Sequence, residues 1–203
     1  MKLLDRIIHH ALPAAVRHAL PAAVRHALPS AMRRALPSAP ASLDVAWEPG
    51  LVLAPVGGTV VELGDVPDPV FSTGMLGPGT AVAPSSGTVF SPVSGVVSAM
   101  VGSGHAFDLV TDDGLEVLVH VGIDTVVLHG AGFVPHVAVD SRVVAGQPLV
   151  DFDRDALAQA GFSDVIVVTL PNAPELTTHT VLVDGDDEVS AGDVIIAALV
   201  AGE

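Results

Sequence analysis

From about Asp44 onward, short valine-rich runs alternate with glycine and proline. That is the pattern of strands joined by tight turns. It predicts strands over 51–54, 59–63, 80–83, 87–90, 95–101, 105–111, 115–121, 148–152, 165–170, 180–183 and 194–199. Their close succession indicates an all-β body, an antiparallel sandwich or barrel-like domain. Residues 153–160 carry the one helical turn expected within it. Ser141-Arg-Val-Val-Ala-Gly-Gln and Glu188-Val-Ser-Ala-Gly-Asp read as two copies of one turn, each followed by an apolar strand. This points to an internal duplication.

The pattern before that body is different. His10-Ala-Leu-Pro-Ala-Ala-Val-Arg17 is repeated at His18 and His26, with a decayed copy running to Pro40. Prolines at 13, 21, 29 and 37 prevent one continuous helix. A period of eight also drifts by ~80° per repeat around a helix, so the arginines would not share a face. Residues 1–43 are therefore expected to form a flexible basic tail, and residues 44–203 the folded domain. The first segment is an exception. Leu3, Leu4, Ile7, Ile8, Ala11 and Leu12 cover one half of a helical wheel, and Lys2, Asp5, Arg6, His9 and His10 the other. A short basic amphipathic helix over 2–12, ended by Pro13, is suited to weak contact with an anionic membrane surface.

Composition narrows the chemistry. Cysteine is absent and Lys2 is the only lysine. Disulfides, thiolate sites, Schiff bases and the P-loop motif are thereby excluded. The remaining nucleophiles are hydroxyls, carboxylates and histidines. Residues 1–40 hold six basic residues and one acidic, whereas residues 41–203 hold two basic and 22 acidic. So acidic a body repels nucleic acid. It suits a basic protein partner whose approach it steers, or serves solubility alone. No apolar run reaches membrane-spanning length, and the start lacks a signal peptide's apolar core and cleavage site. A cytoplasmic protein is expected.

The candidate chemistry lies on one hairpin, His105-Ala-Phe-Asp-Leu-Val-Thr-Asp-Asp-Gly-Leu-Glu-Val-Leu-Val-His120. Asp113-Gly114 is a strong turn signal. Folding about it pairs Phe107 with His120 and leaves His105 two residues along the same face. Moving the turn back one residue sets the histidines directly opposite each other. Only the intermediate three-residue loop puts them on opposite faces. Leu115, Val117, Val119 and Val121 form the core-facing side. His120 and Leu118 are then expected to face outward with Leu109, Phe107 and His105, forming an exposed apolar patch fit for docking. Asp108 would point inward with Ala106 and Val110 and resists the scheme. Gly122 lets another backbone approach the imidazole, or frees its own carbonyl to accept from the ring and leave Nε2 as the nucleophile. Three readings remain open on these residues. They are two surface histidines aligned by chance, a zinc site completed by a carboxylate, or phosphoryl transfer through a histidine nucleophile.

Gly114-Leu-Glu-Val-Leu-Val-His120-Val-Gly-Ile-Asp-Thr-Val126 resembles the phosphorylation-site signature of the glucose-class enzyme IIA domain of the bacterial sugar phosphotransferase system. Further segments are similar to the same family. Ala54-Pro-Val-Gly-Gly-Thr-Val resembles its opening strand, and Gly64-Asp-Val-Pro-Asp-Pro-Val-Phe71 its acidic-hydrophobic loop. Ser103-Gly-His105-Ala-Phe107 resembles the segment bearing its second histidine, and Gly130-Ala-Gly-Phe133 follows at the expected place. The resemblance spans roughly residues 50–200. It implies an antiparallel β-sandwich with duplicated halves and a phosphocarrier function. His120 would be phosphorylated on Nε2, with His105 stabilising the phosphoryl group. The donor would be HPr, and the acceptor a cysteine on a separate enzyme IIB domain. Asp68 and Asp124 match acidic positions that meet the partner's basic residues. Phe71, Phe107, Leu118 and Val126 would complete the docking surface. Ser103 and Gly122 would support the histidines. No cofactor and no resident metal are implied, although the two histidines could bind zinc incidentally. The rivals are a regulatory binding module of the same fold and a zinc hydrolase on a related one. The resemblance does not name the sugar.

Overall fold

The computed structural model describes residues 40–200. The repeat tail before residue 40 and its amphipathic segment 2–12 lie outside the described residues. Among those described, the strands are β1 (Leu51–Leu53), β2 (Gly58–Glu62), β3 (Gly79–Pro84), β4 (Thr88–Phe90), β5 (Gly95–Met100), β6 (Ala106–Val110) and β7 (Glu116–Val121). They continue with β8 (Phe133–Pro135), β9 (Arg142–Val143), β10 (Pro148–Phe152), β11 (Ile166–Thr169), β12 (Thr177–Leu182), β13 (Glu188–Val189) and β14 (Val194–Val200). Short helices are α1 (Pro69–Ser72), α2 (Arg154–Gln159) and α3 (Ala173–Leu176). Every expected strand is present. β8, β9 and β13 were not anticipated, since two or three residues are too few to show an alternation.

An eight-stranded antiparallel sheet has the order β13-β2-β3-β11-β7-β6-β5-β9, and two three-stranded sheets have the orders β1-β14-β12 and β4-β10-β8. The large sheet is a palindrome about the β11–β7 pair. β13 corresponds to β9, β2 to β5, β3 to β6 and β11 to β7. The two repeated turns thus hold opposite edges of one sheet. Matching hydrogen bonds tie them in. Gly146 N donates to Ser91 O and Gly192 N to Ala54 O, while Ser91 N donates to Gln147 O and Ala54 N to Asp193 O. The segments that receive these turns are themselves repeated, Leu51-Val-Leu-Ala-Pro-Val-Gly-Gly-Thr-Val against Thr88-Val-Phe-Ser-Pro-Val-Ser-Gly-Val-Val. That repeat extends the duplication beyond the turns. Leu43 N also donates to Gly146 O, so packing of the body begins before Asp44.

The core is a single cluster, including Val52, Val82, Phe107, Leu109, Val117, Val119, Leu149, Ile166 and Ile196. Burial of such side chains is the main favourable term. The β6–β7 hairpin feeds it in a register different from the two that would align the histidines. Ala106 pairs with His120, Phe107 with Val119 and Leu109 with Val117. Thr111 N donates to Leu115 O across the intervening loop, and Gly114 N donates to Thr111 O. Gly114 has φ +86°. This is a three-residue loop whose last position is left-handed, which glycine adopts without strain. Asn172 clamps it, donating from Nδ2 to Gly114 O (2.8 Å) and accepting from Glu116 N (2.9 Å).

That register corrects the expected exposed patch. Phe107 and Leu109 face the core beside Val117 and Val119, and none of the four is exposed. Leu118 does share His120's face, yet it too is fully buried. The apolar surface around the hairpin is therefore largely interior. Asp108 is buried as expected, but it pairs with Leu118 and so lies on the histidine side of the sheet.

Candidate active site

His120 is the penultimate residue of β7, and His105 stands one residue before β6. Strict alternation from the observed register would place them on opposite faces. They nevertheless meet, with ring centroids 5.0 Å apart and planes at 84°. His105 lies in a bend after Gly104, whose φ is +74°, so the two-residue side-chain period ends at Ala106. The chain swings the imidazole round to its partner, and Val121 N donates to His105 O to hold the bend (2.7 Å).

Both rings are walled by aromatics. Phe71, delivered by α1, lies 5.1 Å from His120, and Phe133 of β8 lies 6.2 Å from His105. α1 exists because Asp68 caps it, accepting from Val70 N at 2.7 Å, and because Pro69 opens its first turn. The same carboxylate contributes negative charge near His120. Asp124 contributes likewise. It precedes a 3-10 turn, Thr125–Leu128, with φ +58°, a left-handed conformation that costs a non-glycine residue energy and clusters at functional sites. Thr125, inside that turn, anchors it by donating to Val121 O at 2.8 Å.

Electrostatics keep both imidazoles neutral. Burial, then the neighbouring His120, lowers His105 from 6.5 to about 3. Burial lowers His120 to about 4, opposed by the Gly122 backbone, Asp68 and Asp124. His120 Nδ1 is buried without a partner at full hydrogen-bonding geometry. The Gly122 backbone is the largest of the three influences that raise the ring's basicity, and it is the neighbour expected from the sequence. Gly122 also permits close packing. Its φ is +72°, and a Cβ there would lie 2.4 Å from Thr125 Cγ2 and 2.8 Å from Ser163 O. Ser103 Oγ lies 2.5 Å from His105 Nδ1. A hydroxyl donating to Nδ1 sets the tautomer with hydrogen on Nε2.

The sequence-derived residues therefore divide. His105, His120, Ser103, Gly122, Asp68, Phe71 and Asp124 converge, although Phe71 is only 4% exposed and forms a wall. Phe107 and Leu118 do not line an open surface. Val126 is half-buried. The exposed apolar side chains on these segments are Val70 (38%) and Val127 (55%). Neither is marked by the sequence, because their parity depends on α1 and the 3-10 turn. Among the described residues no group of three or more His, Cys, Asp or Glu is placed to hold a metal. Both arginines there are engaged, Arg142 with Asp112 and Arg154 with Asp164. The arrangement offers a neutral imidazole nucleophile and a second imidazole able to donate beside it.

Residues 51–176 match the family model for the phosphoenolpyruvate-dependent sugar phosphotransferase system, EIIA 1. The glucose-specific EIICBA component of the phosphotransferase system of Streptococcus pneumoniae is 50% identical over 115 residues, which are 57% of this chain and 16% of that protein. The mannose-specific EIIBCA component of Corynebacterium glutamicum is 43% identical over 60% of this chain and 18% of its own length. The chain thus spans about a fifth of the length of these curated relatives or less. Among solved structures, glucose permease IIA from Mycoplasma capricolum is 38% identical with a TM-score of 0.64, covering 72% of this chain and 94% of that one.

Proposed function

The chain belongs to the EIIA 1 family of the phosphoenolpyruvate-dependent sugar phosphotransferase system, and on that premise we propose that it carries a phosphoryl group on His120. The observation that supports this most directly is the pair of neutral imidazoles with centroids 5.0 Å apart. A neutral ring is a nucleophile without prior deprotonation. Nε2 of His120 attacks the phosphorus of phosphohistidine on HPr. The bond from phosphorus to the donor ring breaks, that ring keeps the electron pair, and a new bond to Nε2 forms. In the second half, a cysteine thiolate of an EIIB domain attacks, the bond to His120 breaks, and the pair returns to the imidazole. His105, with hydrogen on Nε2, donates to the phosphoryl oxygens as charge redistributes.

Docking follows from charge and shape. Asp68 and Asp124 lie near His120 and suit basic groups of HPr and EIIB, while Val70, Val126 and Val127 supply the apolar rim around the wall that Phe71 forms. The relatives are named for different sugars, glucose and mannose, which supports a carrier whose sugar is chosen by its permease partner. Among the described residues no helix is long and apolar enough to cross a membrane. A cytoplasmic carrier, with weak membrane-surface contact through residues 2–12, fits the acidic body and basic tail. Regulation by docking other proteins is compatible with the same surface, but no separate observation favours it or a zinc hydrolase.

The test is intact mass after incubation with phosphoenolpyruvate, enzyme I and HPr. The wild type gains one phosphoryl mass and His120→Ala gains none. His105→Ala still gains it but passes it poorly to an EIIB domain. A wild type that takes up no phosphoryl group overturns the reading.

A further inference from the structure

A second polar network lies outside the histidine pair. His136 Nε2 is 2.8 Å from Asp151 Oδ2, and Thr88 Oγ1 donates to Asp151 Oδ1 at 2.7 Å. His136 follows β8, Asp151 is on β10 and Thr88 is on β4, so three side chains link all three strands of one sheet. Asp151 pairs with Thr88 and with Val134, which is 44% exposed. The link therefore runs along the outer face. The inner face holds Phe133 stacked on Phe152, 6.4 Å apart and 18° from parallel. His136 is nearly covered, its side chain 9% exposed against 32% for Asp151.

β8 is where this network meets the active site. It is three residues long and pairs with β10 alone. Two of its three side chains hold the segment that carries His105. Phe133 abuts the His105 ring edge-on at 6.2 Å. Pro135 lies so close to Gly104 that a Cβ there would sit 2.4 Å from the Pro135 Cγ. Gly104 immediately precedes His105. A short edge strand with one neighbour is held weakly by its ladder alone, and the side-chain link gives it a second tether.

We propose that His136 is a positioning residue for phosphoryl transfer, strapped by Asp151 and Thr88 so that Phe133 and Pro135 hold His105 against His120. The inference rests on the role assigned to His105 above. Cutting the strap lets β8 relax outward. His105 then gains water and loses its fixed edge toward His120.

Three variants test this, His136→Ala, His136→Gln and Thr88→Val, each first checked for a wild-type circular dichroism spectrum. Ring NMR follows the titration of His105, and phosphoryl transfer is timed separately from HPr and to an EIIB domain. In His136→Ala the midpoint of His105 rises by about one pH unit, as a buried ring regains solvent. Uptake by His120 stays within about twofold, while onward transfer slows by about tenfold or more, the scale of a small misplacement near reacting atoms. His136→Gln, whose amide can still donate to Asp151, restores both. Thr88→Val, which removes only the far end of the strap, shifts both in the same direction by less, and it carries the test if His136→Ala does not fold. A folded variant with wild-type His105 titration and wild-type onward transfer overturns the proposal. Failure of the wild type to take up phosphoryl would overturn the carrier reading instead, and the titration would still decide whether the strap positions His105.

Discussion

At the scale of single residues, the site depends on holding a base neutral where water would let it charge. His105 and His120 have folded values of about 3 and about 4 against 6.5 for a free ring. Between those limits the unfolded chain binds the extra protons, so stability attributable to the pair is complete above pH 6.5 and falls as pH drops. Each ring contributes a slope of up to about 1.4 kcal/mol per pH unit in that window. Urea unfolding at pH 7 and pH 5 should show a smaller loss in a His105→Gln, His120→Gln double variant than in wild type. The same shift protects function. Phosphoryl uptake should stay level from pH 8 to about 5, whereas an unperturbed histidine nucleophile would begin to fail near 6.5. Rapid-quench rates across that range check this. Gly122 answers to packing rather than titration. Gly122→Ala should cost about 2–3 kcal/mol, from strain at positive φ and from the clash with Thr125, and calorimetry would detect it.

At the scale of elements, the hairpin explains both what the sequence revealed and what it concealed. Asp113-Gly114 identified a turn at the right place, and the residues that form β6 and β7 were recognised almost to their ends. The register was not recoverable. A two-residue and a three-residue loop differ by one position, yet that position decides which face carries Phe107. Asn172 lies far along the chain and holds the three-residue form by bonding both Gly114 and Glu116. No local signal announces it. Asn172→Ala should cost about 1–2 kcal/mol, since a half-buried carbonyl and an amide lose their partners. Amide exchange at 112–116 should accelerate more than exchange in β2 or β3. The histidines do meet, but not through alternation along paired strands. A bend outside the ladder brings them together.

For the whole molecule, charge would steer the approach of a basic partner, and duplication sets where the site sits. The body's 22 acidic residues face two basic ones, and both of those are paired among the described residues. Association with a basic donor should therefore be fast at low salt and slow steeply with ionic strength. Stopped-flow transfer at 50 mM and 500 mM salt should show a shallower dependence for an Asp68→Asn, Asp124→Asn pair, with His120 chemistry in the bound state largely kept. The site lies on β7, one of the two strands flanking the axis of the pseudo-symmetric sheet. Its equivalent position on β11 carries no such pair, so the two halves share a frame and differ in chemistry.

Sequence alone determined the longer strands, the acidic composition of residues 41–203, the absence of cysteine and of any lysine beyond Lys2, and the residues that resemble the family's phosphorylation-site signature. These are local properties, carried by composition, period and short turn signals. Tertiary structure alone decided the hairpin register, the burial of Phe107 and Leu118, and the turning of His105 toward His120. It also decided the strap from Thr88 through Asp151 to His136. Each of those depends on groups distant along the chain meeting across a sheet, where one residue of slip or one left-handed glycine changes which side chains share a face.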